Sequence, residues 1–235
     1  KHVYVIEDCS HAHGASFKGK KLGSWGHVGI FSLQGAKAIA AGEGAVAITN
    51  DSELMIKMAA YGHQESYKKF SISTEKEIKL PSFGYGKKMR VHPLGAVLAK
   101  EELKRIDKKN SIFLALHQEL EKLSQINSNF KIPKVIKNGQ IGGFCQGVPL
   151  IIKNEDMAKK IKKALIKNRI SCFTRDYTLP LIEFSDTFNN SKDIKDSLPN
   201  SYSNFSKVIF VPFYQFVSPI RWKRLKSILK NYEDV

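Results

Sequence analysis

Three short apolar runs, Val3–Glu7, Val28–Leu33 and Ala45–Thr49, constrain this chain more than any other feature. Each is too short for a helix, is rich in Val, Ile and Ala, and is bounded by Gly, Asn or Asp. Runs of this kind read as buried strands of a mixed or mostly parallel sheet. Parallel strands need crossover connections and layers of helix around them, so the first half of the chain is expected to be α/β. In such sheets the ligand crevice lies at the carboxyl ends of the strands. The polar residues that follow each run are therefore the first place to look for chemistry.

Glu7-Asp8-Cys9-Ser10-His11-Ala12-His13-Gly14 follows the first run. Ser32 ends the second. Lys37 comes five residues later, ahead of the glycine turn Gly42-Glu43-Gly44. Taken singly, each has a plain structural explanation: Asp8 as a turn cap, His11 as a turn histidine, Ser32 as a strand end. Lys37 is the exception, because most lysines of this chain lie on helical stretches and this one sits in a glycine-rich turn after a strand. Together, Asp, His, Ser and Lys in this order suit a pyridoxal phosphate (PLP) site. The carboxylate holds the pyridine nitrogen protonated, the hydroxyl donates to the phosphate, and the lysine amine forms a Schiff base with the aldehyde.

The rest of the chain divides into recognisable elements. Ser52–Tyr61 reads as a helix with Leu54, Met55 and Met58 inward and Asp51 or Ser52 as its cap. Gln64–Ser82 reads as a polar surface loop. Pro93 opens a helix that runs to about Lys108, and another spans Asn110–Leu123. Ser124–Gly143 is rich in turn residues. Beyond it come a strand at Phe144–Ile152, a helix at Glu155–Asn168, strands at Ile170–Thr174 and Lys207–Pro212, and a helix at Pro219–Tyr232. Asp186–Ser206 reads as a loop. The expected organisation is residues 1–123 as part of a cofactor-binding large domain and 124–235 as a small α+β domain.

The 235 residues carry a formal charge of +16. Only six of the 38 basic residues are arginines, and lysine lacks the planar fork used to read bases. Stretches such as Ala158–Lys167, with Ile161, Leu165 and Ile166 as the apolar face, explain the excess as solvated helix surface. No recognition motif or aromatic–basic interleaving points to nucleic acid. No apolar run approaches the roughly 20 residues of a membrane span, so no membrane partner is expected. Cys9, Cys145 and Cys172 are odd in number and widely spaced, which favours reduced thiols over a disulfide framework or a metal site. The opening residues lack a signal-peptide pattern, and cytoplasm is the expected compartment. The chain enters a strand at once, which reads as the later part of something longer.

Two blocks carry a resemblance to a known family. The first is Val5-Ile6-Glu7-Asp8-Cys9-Ser10-His11-Ala12-His13-Gly14-Ala15, continued by Lys18-Gly19-Lys20, Gly23-Ser24-Trp25-Gly26, Gly29-Ile30-Phe31-Ser32 and Lys37 with Gly42-Glu43-Gly44. The second is Gly84-Tyr85-Gly86-Lys87-Lys88-Met89-Arg90-Val91-His92-Pro93-Leu94-Gly95-Ala96. Both resemble the DegT/DnrJ/StrS family of PLP-dependent sugar and cyclitol aminotransferases of fold type I. The resemblance implies that Lys37 is the catalytic amine, that Asp8 binds the pyridine nitrogen, that His11 contacts the ring or its oxygen, and that Ser32 binds phosphate. It further implies a homodimer in which Lys88 reaches the neighbouring subunit's cofactor phosphate. Relatives with His in place of the lysine are dehydratases, so Lys37 favours amino transfer from glutamate or glutamine to a keto-sugar or keto-cyclitol. The alternative is a truncated or split fragment that acts only with a partner chain.

Overall fold

The computed structural model describes residues 3–62, 87–143, 147–173, 204, 206–212 and 218–230. The expected loop at Gln64–Ser82 lies outside the described residues, as does that at Asp186–Ser206 apart from Asn204 and Ser206. The chain divides into two compact units, Lys1–Ser111 with Ile136–Gly143, and Ile112–Val135 with the remainder from Phe144.

The first unit is built on a mixed sheet of β1 (Ile6–Asp8), β4 (Val28–Ser32) and β5 (Ala45–Ile48), ordered β1-β4-β5. β1 runs parallel to β4 with Asp8 opposite Ile30, and β5 is antiparallel to β4 with Ala45 opposite Ser32. All three apolar runs contribute strands to one mixed sheet, the first only through Ile6 and Glu7, since Val3–Val5 lie outside β1. Full burial, however, holds only for the start of β4. Val28 and Gly29 are buried, whereas Ile6, Val46 and Ile48 on the outer strands are exposed. Among the described residues β1 and β5 each have one strand neighbour, so both are edges of this sheet, flanked by a strand on one side only.

Between β1 and β4 the chain makes a hairpin of β2 (Ser16–Phe17) and β3 (Lys20–Lys21). Its two-residue turn places Lys18 and Gly19 both at positive φ, 48° and 77°, the geometry that matches strand twist. A third strand, β7 (Gly139–Gln140), pairs with β2 from more than a hundred residues away. Helix α1 (Ser52–Gly62) follows β5. The Asp51 carboxylate caps it by accepting from the N–H groups of Glu53 and Leu54 at 2.8 and 3.0 Å. Ile56 and Ala60 face inward rather than Met55, which is exposed. Helix α2 (Pro93–Leu103) starts with proline at its first turn and His92 as its cap, the ring Nδ1 accepting from Leu94 N–H at 3.2 Å.

Helix α3 (Ile106–Ile126) starts where a single helix from Pro93 was expected to end, so the break falls at Lys104–Arg105 instead of near Lys109. The division between units lies inside α3. Ile106 joins the small core of the first unit with Leu33, Ile39 and Ala41, while Leu120 and Leu123 belong to the core of the second.

The second unit has an antiparallel sheet of β6 (Phe130–Lys131), β8 (Val148–Ile152) and β9 (Val208–Val211), ordered β6-β8-β9. Central β8 alternates, burying Val148, Leu150 and Ile152. Helices α4 (Glu155–Lys167) and α5 (Pro219–Lys230) pack into the same core through Ala158, Ile161 and Leu165, and through Trp222, Leu225 and Leu229. Ile166, expected on the inner face of α4, is exposed, because it lies about 100° around the helix from Leu165. Lys159, Lys160, Lys163 and Lys167 are exposed, as expected for a solvated face. The expected strand at Ile170–Thr174 is reduced, among its described residues, to a single bridge between Phe173 and Phe210.

Candidate functional site

Parallel pairing puts the carboxyl ends of β1 and β4 at the same end of the sheet. Asp8 is the last residue of β1 and Ser32 the last of β4. Both lead into turns, and the other two candidate residues, His11 and Lys37, lie in those turns.

The Asp8 carboxylate is exposed at the end of β1. Its Oδ1 accepts from the Ser10 N–H at 3.0 Å. The Ser10 hydroxyl and N–H, with further help from His11 and Lys37, hold its pKa below the usual carboxylate range. Asp8 is thus an ionised acceptor at the strand end.

His11 and Lys37 meet directly, with Lys37 Nζ 2.6 Å from His11 Nε2. An ammonium can only donate, so the Lys37 ammonium places its hydrogen on an imidazole nitrogen that accepts. The turn that presents Lys37 is short and internally bonded. Its N–H donates to Gln34 O at 2.9 Å, the Gln34 side-chain oxygen accepts from Ala36 N–H at 2.8 Å, and Ser32 Oγ accepts from Gln34 N–H at 3.3 Å. Leu33 N–H to Gly44 O and Ala41 N–H to Leu33 O, at 2.9 and 2.8 Å, close the loop onto the start of β5.

Asp8, His11, Ser32 and Lys37 therefore gather at one end of one sheet. Lys88 stands apart on the exposed stretch that leads into α2. No hydrogen bond or ion pair joins its side chain to those four among the described residues.

Three further residues support this arrangement and were not singled out from sequence. Glu7 precedes Asp8, and period-two alternation sends their carboxylates to opposite sides of β1. Glu7 accepts from three backbone N–H groups of the next loop, Gly23 at 2.8 Å and Trp25 and Gly26 at 2.6 Å each. Those bonds, together with Lys20, hold its pKa down against the opposing effect of burial, the largest single influence. That alternation was readable in the sequence. His13 and Asn110 had no such signal. Both are buried, His13 Nε2 lies 2.9 Å from Ser32 O, and Asn110 Nδ2 donates to His13 O at 2.9 Å. The loop Gly142–Gly143 lies against this turn so closely that a Cβ on Gly143, at φ +84°, would stand 2.5 Å from His11 O.

A carboxylate, a hydroxyl and an amine–imidazole pair thus lie at or just beyond the carboxyl ends of two parallel strands of an α/β sheet. The chain belongs to the DegT/DnrJ/EryC1/StrS aminotransferase family, which it matches over residues 1–229. It is 54% identical over 54 residues to L-glutamine:2-deoxy-scyllo-inosose aminotransferase of Streptoalloteichus tenebrarius, a stretch covering 23% of this chain and 13% of that relative. It is 25% identical over 244 residues to GDP-perosamine synthase of Vibrio cholerae, covering 98% of this chain and 59% of the relative. Among solved structures it is similar to E. coli GDP-4-keto-6-deoxy-D-mannose-3-dehydratase with bound hydrated PLP. The TM-score there is 0.68 at 17% identity, over 97% of this chain and 60% of the other. The chain thus spans less than two thirds of the length of these relatives.

Proposed function

We propose that this chain carries the lysine-bearing part of a PLP-dependent aminotransferase site, moving an amino group from glutamate or glutamine to a keto-sugar or keto-cyclitol. The observation that carries the reading is the Lys37–His11 contact at the strand ends, beside the ionised Asp8. Family membership and the relatives' names support it.

The donor set fits the cofactor. PLP when bound supplies an electrophilic aldehyde and a ring that accepts electrons. Asp8, ionised, is the group to hold a protonated ring nitrogen. Ser32 Oγ already accepts one hydrogen bond and has its own hydrogen left to donate to a phosphate oxygen. Lys37 becomes a nucleophile only when its Nζ loses a proton, and His11 Nε2 is placed to receive it. The same Nζ, once neutral, is the base that takes and returns a proton at the substrate carbon. Cofactor binding is assigned to the first unit, within the expected 1–123 segment.

A homodimer completes the reading. Around α2, Met89, Leu94, Val97 and Leu98 are all more than half exposed, an apolar surface next to Lys88 that a second copy would cover. Across that contact Lys88 would reach the neighbour's phosphate as a charge-assisted donor.

The decisive experiment is borohydride reduction in the presence of PLP, followed by peptide mapping. The cofactor should be fixed on a peptide containing Lys37, and Lys37→Ala should lose the label and all amino transfer while remaining folded. A label on Lys88 or scattered over surface lysines sinks the assignment. A label that forms at Lys37 only after a second, different chain is added favours the split-protein alternative.

A further inference from the structure

Behind the candidate site runs a buried polar chain that the proposed chemistry leaves unused. His13 is 1% exposed, and its Nε2 faces the Ser32 carbonyl oxygen at 2.9 Å. A carbonyl only accepts, so Nε2 carries the hydrogen and the ring is the Nε2–H form. Nδ1, on the other side of the ring, is buried without a hydrogen-bond partner among the described residues. In a neutral imidazole that nitrogen is a bare lone pair, which is tolerable; in a cation it would be a buried donor with nothing to receive its hydrogen. The ring also packs against Phe31, with centroids 5.5 Å apart.

The chain continues in the opposite direction. His13 O accepts from Asn110 Nδ2 at 2.9 Å, and Asn110 Oδ1 accepts from Gly143 N–H at 3.1 Å. Asn110 is itself 6% exposed. Hydrogen bonds thus link Gly143, Asn110, His13 and Ser32 in sequence, ending at the last residue of β4. A main-chain carbonyl held in place fixes the peptide plane that follows it, and with it the direction of the Ser32 side chain.

We propose that His13 is a positioning residue, whose Nε2–H holds the Ser32 carbonyl and so aims the Ser32 hydroxyl at the phosphate of the ligand. This rests on the reading of Ser32 as a phosphate contact. The basic groups that bear on the ring are Lys37 and His11, and both disfavour a positive charge on His13. β4 contributes Phe31 and Ser32 and α3 contributes Asn110, none of which titrates in this range. Burial is the largest influence and acts in the same direction as the two basic groups, holding the His13 pKa below its ordinary value against the opposing pull of the Ser32 carbonyl.

The test compares wild type, His13→Phe and His13→Gln, each as the full chain, for binding of PLP and of pyridoxal, which lacks the phosphate. His13→Phe keeps a ring but cannot donate, and it should weaken PLP about tenfold while leaving pyridoxal unchanged. His13→Gln, whose amide can donate to Ser32 O, should recover most of that loss. Equal losses for both ligands, or no loss for PLP, overturn the proposal. Nitrogen-15 spectra of histidine-labelled protein without ligand give an independent readout. They should show His13 as the Nε2–H tautomer, titrating below the ordinary histidine pKa of about 6.5. An Nδ1–H tautomer, or an ordinary titration, overturns it equally. Should wild type bind neither ligand and take no label at Lys37, the functional reading fails, and the spectra still decide the role of His13.

Discussion

The two units of this protein are held together by different means. The second is organised by apolar burial. Val148, Leu150 and Ile152 alternate along β8, and Ile161, Leu165, Leu225 and Leu229 close over them from two helices. The first has a small core of Leu33, Ile39, Ala41 and Ile106, and relies instead on polar clamps: Glu7 on three backbone N–H groups, His13 on Ser32, and Asn110 on two loops. Apolar packing is tolerant of which hydrophobe fills a space, provided volume is kept. Hydrogen-bonded clamps have direction, and they place particular backbone atoms. Such clamps suit a unit that gathers its four candidate side chains at one sheet end.

The largest effect expected is chemical and confined to the first unit. Asp8→Asn keeps size and hydrogen bonding but removes the charge, so amino transfer should be lost while the thermal midpoint barely moves. Near-normal turnover in steady-state assays would show Asp8 to be only a turn cap, and the contrast between a chemical and a packing unit would weaken. Next in size is Leu150→Ala, which opens a cavity at a fully buried position of the second unit. It should cost about 2–5 kcal/mol in denaturant unfolding, yet leave PLP labelling of Lys37 intact wherever the protein remains folded. Loss of labelling at denaturant concentrations where the first unit's signals persist would mean that the units are not separable in function.

Glu7→Ala should be milder, about 1–3 kcal/mol, because it strips three backbone donors of a charged acceptor at a partly solvated site. Its signature is local: amide exchange should accelerate at Gly23, Trp25 and Gly26 and not in the second unit. Uniform acceleration would refute the clamp. Smaller again is Asn154→Ala, which removes the cap that accepts from Met157 N–H at 2.9 Å at the start of α4. A loss of about 1 kcal/mol is expected by chemical denaturation.

The smallest effect concerns pH. His117, buried in the second unit, has its pKa lowered by burial against a weaker opposing pull from Glu121. Its contribution is whole above the unfolded value of about 6.5 and declines as pH falls below it, because the unfolded chain then binds a proton that the folded chain resists. The midpoint of the second unit should therefore drop between about pH 7 and pH 5. His117→Leu should flatten that slope, and an unchanged slope would remove His117 from the account.

Much of this was readable from the chain. The three apolar runs contributed strands to one mixed sheet, and the residues at their ends became the candidate site, because strand-end position follows directly from where an apolar run stops. The helix starts at Ser52, Pro93 and Pro219 were legible from capping and proline chemistry, which act within a few residues. The motif blocks around Asp8 and Lys37 pointed to the family before any coordinate was known. What could not be read was set by distance. Nothing near Asn110 announces His13, nearly a hundred residues earlier, and nothing in Gly139–Gln140 announces its pairing with Ser16–Phe17. The exposure of β1 and β5 was likewise beyond reach, since an apolar strand looks the same at the edge of a sheet and in its middle. Local pattern therefore determined which elements form and which polar residues sit at their ends. Only the tertiary structure decided which of those residues touch, because hydrogen-bond partners and cover are properties of neighbours in space.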